Sequence, residues 1–166
     1  MRKYYFLIAA LVFILDQVAK SVIQQKLPLN DSIGVIPGFF RISHVQNYGA
    51  AFGLFADSVS HWKVVFLVGF SLLAMAVVAY LLWKNTHAYP TTGIALALIL
   101  GGAMGNLYDR LADGYVVDFL AFFFGRYHWP DFNVADSAIV VGAVLLVAEI
   151  LFTKPPEEEH AGQARR

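Results

Sequence analysis

Residues 101–137 read GGAMGNLYDRLADGYVVDFLAFFFGRYHWPDFNVADS. The polar side chains of Asn106, Asp109, Arg110, Asp118, Asn133 and Asp136 stand there between two apolar runs, each long enough to cross a bilayer. A central Asp or Arg in a membrane helix costs roughly 2.5–3.5 kcal/mol on insertion scales, so acids at membrane depth mark function before they mark structure. Asp118 and Asp136 flank one connection between the two runs, and chemistry is expected there.

The rest of the chain fits the same picture. Of 166 residues, 58% are hydrophobic and 14% charged, against about 25% charged in ordinary soluble domains. Mean hydropathy is +0.60. The sequence therefore predicts an all-α integral membrane protein. The formal net charge is zero, which gives no reason to expect nucleic acid as a partner. There is no cysteine, so disulfides, a thiol nucleophile, thiolate metal sites and lipid attachment to this chain itself are excluded.

Four transmembrane helices are expected, near 4–23, 64–83, 92–111 and 135–152, each close to the ~20 residues a span needs. Arg2 and Lys3 before an apolar run resemble a signal peptide, but the run ends in DQVAK with no small-x-small site, so an uncleaved first helix is expected. Lys and Arg set the orientation. Arg2, Lys3, Lys84, Lys154, Arg165 and Arg166 crowd the termini and the turn 84–92, whereas the longer loops 24–63 and 112–134 hold only Lys26, Arg41, Lys63 and Arg126. Both termini are predicted to be cytoplasmic and both long loops extracytoplasmic, which brings Asp16, Asp109, Asp118 and Asp136 to the outer face. Phe39 to Val45 alternates in part and is rich in β-formers, so a small β element is expected in the first loop, followed by the Gly-rich turn NYGAAFG. One domain is expected over 1–153, with a polar cytoplasmic tail at 154–166.

If Asp118 and Asp136 meet, they form a carboxylate pair that shares a proton, with one member poised to polarise a carbonyl and the other to activate water. The alternative is a loop acid and a helix cap, because NVADS places Asp136 where a helix N-terminus favours negative charge. Asp16 and Lys20 share a helix face at i, i+4, as do Asn106 and Arg110. A neutralised structural rim accounts for these as well as a site does. Gly101-x-x-x-Gly105 is a helix-contact pattern. Glu149 reads as an interfacial acid near Lys154, and Tyr127 and Trp129 as an aromatic belt. The five His are scattered without HExxH spacing, and no GxSxG elbow occurs, so zinc and serine chemistry are not expected.

Five motifs in order, D16-QVAK, N47-YGAAFG, G101-GAMGNLYDR, V116-VDF and F132-NVADS, resemble those of the lipoprotein signal peptidases, the type II signal peptidases of bacteria. The resemblance runs from the first helix to the fourth and excludes the tail after Phe152. It implies an intramembrane aspartic endopeptidase of the bacterial inner membrane. Such an enzyme removes the signal peptide from a diacylglyceryl-modified prolipoprotein and leaves the lipidated cysteine N-terminal. It also implies Asp118 and Asp136 as the catalytic pair. Asp16, Lys20, Asn47, Asn106, Arg110 and Asn133 become supporting or substrate-binding residues. No metal or organic cofactor is implied, membrane lipids are the surroundings, and a monomer is expected. Phe39 and Phe40 are candidates to cover a bound peptide. The rival classes are a proton or ion transporter, disfavoured by four helices without an inverted repeat, and a non-catalytic membrane scaffold.

Overall fold

Apolar runs of about 20 residues without internal breakers become helices, because in hydrocarbon every backbone N–H and C=O must bond within its own segment. The computed structural model describes residues 2–49, 61–84 and 90–152. Its helices are α1 (Arg2–Lys26), α2 (His61–Lys84), α3 (Pro90–Ala112) and α4 (Val134–Phe152). The shortest, α4 at 19 residues, reaches about 28 Å at 1.5 Å per residue, close to the ~30 Å hydrocarbon core. All four are long and apolar enough to cross a membrane. The expected spans are therefore present, each extended by one to three residues at the ends that moved.

α3 is the pivot of the bundle and packs on α1, α2 and α4. Small residues let it do so. A Cβ at Gly101 would strike the Ala9 carbonyl of α1, and one at Gly102 would strike the Ala135 carbonyl of α4. This is the close backbone approach that the glycine pattern predicts. Leu96 and Leu100 of α3 join Ala9 and Leu82 in the buried core. The outward faces carry Leu7, Leu11, Val18, Phe66, Leu73, Val144 and Ile150, all exposed, which suits lipid as the solvent.

The β element is larger than the sequence suggests. The small β element expected near Phe39–Val45 in the first loop is β2 (Phe40–Asn47), which forms a hairpin with β1 (Ser32–Ile36). The second loop, for which the sequence predicts no strand, folds into β3 (Val116–Phe124) and β4 (Tyr127–Phe132). All four strands make one antiparallel sheet in the order β1-β2-β3-β4. Gly125, at φ 63°, takes the left-handed conformation needed by the two-residue β3–β4 connection. Tyr127 and Trp129 remain exposed, but as residues of strand β4. The sheet joins two loops distant in sequence: Val45 faces Asp118 and Asn47 faces Val116 across the β2–β3 ladder, which brings Asn47 to Asp118, 71 residues on. On a second line of contacts, the Asp131 carboxylate accepts from Ser43 Oγ (2.9 Å) and meets His128 Nε2 (2.8 Å), tying β2 to β4. Residues 50–53 of the Gly-rich run and the tail from residue 153 lie outside the described residues.

The helix contacts predict opposite effects for one added methyl group. Gly102→Ala should lower the thermal midpoint in detergent, by the about 1–3 kcal/mol typical of overpacking. Gly69→Ala on α2, where a Cβ meets nothing within 4 Å, should leave it unchanged or raise it. Equal midpoints for the two variants would refute close α3–α4 contact.

Candidate active site

The site grows from the first turn of α4. A helix start leaves backbone N–H groups without partners, and here side chains from two elements supply them. Asn133 Oδ1 accepts from the Asp136 amide at 2.9 Å, and the Asp136 carboxylate accepts from the Asn133 amide at 3.3 Å. This reciprocal arrangement is a capping box. Asp16 Oδ1 of α1 accepts from the Ala135 amide at 2.9 Å. Two carboxylates thus sit at the positive end of the α4 dipole. Asp136 is a cap, as one reading of the sequence has it, and the same cap sets it beside Asp118.

The Asn133 amide performs that join. Its Nδ2 donates to Asp118 Oδ1 at 2.7 Å and also approaches Asn106 Oδ1 (3.2 Å) and the Val117 carbonyl (3.3 Å). Asn106 Nδ2 donates to Asp136 Oδ1 at 2.7 Å, and Asn47 Nδ2 to Asp118 Oδ2 at 2.9 Å. Asn47 Oδ1 accepts from the Gly49 amide at 2.8 Å. Asp118, Asp136 and three asparagines from β2, α3 and the start of α4 therefore form one network.

Beneath it lies a charged cluster. Lys20 Nζ contacts Asp16 at 2.7 Å, Asp109 at 2.6 Å and Asn106 Oδ1 at 3.1 Å. Gly105 allows the approach, since a Cβ there would collide with the Asp16 carboxylate. Gln17 Nε2 donates to Asp109 Oδ1 at 2.7 Å. Lys20, Asp16, Asp118 and Asn133 are all essentially buried, at 0–2% exposure. Arg110 shares its face with Asn106 as expected, but donates to main-chain carbonyls, Asn106 O (3.1 Å) and Gly49 O (2.9 Å), which pins the residues after β2 to α3.

Asp16, Lys20, Asn47, Asn106, Arg110, Asp118, Asn133 and Asp136 are therefore brought together at one end of the bundle. Sequence reasoning missed Gln17 as a partner of Asp109, although it stands between Asp16 and the rest of DQVAK. It also missed the Gly49 carbonyl, which no side-chain pattern reveals. Glu149, expected near Lys154, accepts from Thr92 Oγ1 at 2.5 Å and ties the opposite ends of α4 and α3. Among the described residues no three His, Asp or Glu side chains converge like metal ligands.

Burial, and then the charge of Asp136, push the Asp118 carboxyl up to about 7, against the opposing pull of the Asn47 and Asn133 amides and Lys20. A strand acid pushed up toward neutrality, linked through one asparagine to a second acid on a helix start, is an arrangement capable of acid–base chemistry.

Known proteins resemble this chain over most of its length. The family model described as signal peptidase (SPase) II matches residues 8–152. The chain belongs to that family. Lipoprotein signal peptidases of Desulforapulum autotrophicum and Solibacter usitatus are 42% and 44% identical over 151 and 147 residues. The first alignment covers 91% of this chain and 93% of the relative, the second 89% and 90%. Two solved structures, both described as bacterial membrane enzymes, superpose with TM-scores of 0.83 and 0.80 at 31% and 33% identity. They cover 96% and 92% of this chain and 94% and 95% of their own. As a signal peptidase II, the protein is a protease and a multi-pass inner-membrane protein.

The raised Asp118 has a consequence for stability with a definite sign. The unfolded carboxyl releases its proton near 3.8, the folded one near 7. Between those values the folded state binds more proton, so the Asp118 contribution falls as pH rises through the window and levels off above about 7. At about 1.4 kcal/mol per unit, the loss reaches up to about 4 kcal/mol. Thermal unfolding of wild type and Asp118→Asn should therefore diverge in favour of the variant between about pH 4 and 7. A constant difference across that range would mean that Asp118 titrates normally.

Proposed function

We propose that Asp118 and Asp136 together hydrolyse the peptide bond that joins a signal peptide to the lipidated cysteine of a prolipoprotein. The observation that carries this reading is the asparagine network, in which Asn133 and Asn106 bracket both carboxylates at one helix start. A pair sharing one proton performs the whole reaction. The ionised acid takes a proton from water, whose oxygen attacks the scissile carbonyl carbon, while the protonated acid gives its proton to the carbonyl oxygen. The resulting gem-diol collapses: the first acid returns its proton to the leaving amine nitrogen, the C–N bond breaks, and the second acid recovers its proton from the diol hydroxyl.

Asp16, Lys20, Asn47, Asn106, Arg110 and Asn133 hold this pair in place. The Lys and Arg distribution puts both termini in the cytoplasm and the site at the extracytoplasmic end, where a lipid-anchored peptide presents its cut site. A diacylglyceryl substrate suits the fold because the helices expose apolar faces, so acyl chains can stay in lipid while the peptide reaches the acids. The catalytic domain spans 1–153 and works as a monomer, with 154–166 as a cytoplasmic tail.

Purified protein with a diacylglyceryl-modified prolipoprotein tests this directly. Asp118→Asn and Asp136→Asn should each lose at least about 100-fold in kcat while keeping the wild-type circular dichroism. Cleavage at the wild-type rate by either variant would remove that acid from the mechanism.

A further inference from the structure

The two acids do not sit in equivalent places, and the difference has a chemical direction. Lys20 can only donate, so the Asn106 oxygen must face it, and Asn106 Nδ2 must then point at Asp136 Oδ1. Asp136 thus stands at the end of a relay that starts on a buried cation. Its other oxygen accepts a main-chain amide at the positive end of α4. It is also only half-buried, whereas Asp118 is 2% exposed.

Asp118 has a different set of partners. It lies on strand β3 and, among the described residues, caps no helix amide, and its oxygens accept from two neutral side-chain amides, Asn47 and Asn133. The orientations of these amides are equally forced, since Asn47 Oδ1 faces the Gly49 amide and Asn133 Oδ1 the Asp136 amide. Among the described residues, the charged groups around the pair are Lys20 and Asp16 from α1 and Asp109 and Arg110 from α3, while β2 contributes the neutral Asn47. Lys20 is shared with Asp16 and Asp109, yet its charge bears on both acids of the pair, and that of Arg110 bears on Asp136 ahead of Asp118.

We infer that the shared proton rests on Asp118, that Asp136 is the ionised member which activates water, and that Lys20 sets this division through Asn106. The inference rests on the peptidase reading above and assigns its two roles. Asp118 is the acid that protonates the scissile carbonyl, and Asp136 receives the proton from water and passes it to the leaving amine. Lys20 is a positioning residue that touches neither substrate nor water.

Infrared spectroscopy of the full chain in detergent, titrated over roughly pH 5 to 9, reads the protonated carboxyl directly through its C=O stretch. The wild-type band should fade as pH rises past neutrality. It should be absent from Asp118→Asn and present in Asp136→Asn, with a lower midpoint there because burial remains and the like charge is gone. A band kept in Asp118→Asn but lost in Asp136→Asn overturns the assignment, as does a band kept in both or absent from wild type. Cleavage assays on the same samples separate the two levels of the argument. If both Asn variants are inactive, the peptidase reading stands whatever the spectra show, and if either cleaves normally, that reading fails first.

The Lys20 claim has its own readout. In Lys20→Gln the acid limb of kcat/KM against pH should move up by about one unit, the lower end of the effect of a nearby opposite charge. Lys20→Arg should restore it. A loss of activity equal at every pH, with both limbs unmoved, would make Lys20 a structural residue only.

Discussion

Lys20 is a single ammonium held by two carboxylates from different helices, Asp16 of its own and Asp109 of α3. A buried charge in low dielectric persists only when paired and hydrogen-bonded, and both Asp16 and Asn106 are set by that pairing. Asp16, neutralised from below, has an oxygen left to cap α4. Asn106, oriented by the ammonium, offers its amide to Asp136. Removing the cation would leave two acids competing for the same space and would unlock the asparagine that addresses the second pair. The cluster is structural in its contacts and functional in its consequence.

Close packing makes such a cluster possible. Charged side chains can reach one another across three helices only if the backbones approach within the length of a short side chain. Gly101, Gly102 and Gly105 give α3 a surface without Cβ atoms toward α1 and α4. Gly105 in particular occupies the space into which the Asp16 carboxylate fits. The helix-contact pattern and the polar site are therefore one device. The glycines bring the helices together, and the acid, amide and ammonium groups fill the space that remains.

The parts of this architecture that were legible in the sequence are those governed by local rules. Span length follows from bilayer thickness, and the Asp16–Lys20 pairing from the helical repeat, so both could be read from residue order. Asp136 was readable as a cap because NVADS carries the signal. The β3–β4 hairpin was harder, because FLAFFF has no polar alternation and aromatic residues at a membrane boundary suit a belt as well as a strand. What could not be read locally was register. That Asn47 meets Asp118 depends on β2 pairing with β3 across two intervening helices, and one residue of slip would turn Asp118 to the other face of the sheet. The Arg110 contact with a main-chain carbonyl is equally non-local, since a carbonyl leaves no mark on the sequence.

Register also accounts for a site built where two kinds of secondary structure meet. A pair of acids on one helix would share one dipole, one depth and one set of neighbours, and their proton affinities would be separated only by chance. Here one acid belongs to a strand and the other to a helix start. The strand buries Asp118 and can offer it only neutral amides, whereas the helix start gives Asp136 main-chain donors and positive potential before any side chain is added. Asn133 spans the boundary, with its carbonyl in the cap and its amide on the strand acid. The asymmetry that an acid–base pair requires thus comes from backbone architecture, and the buried lysine deepens a difference that the fold already contains.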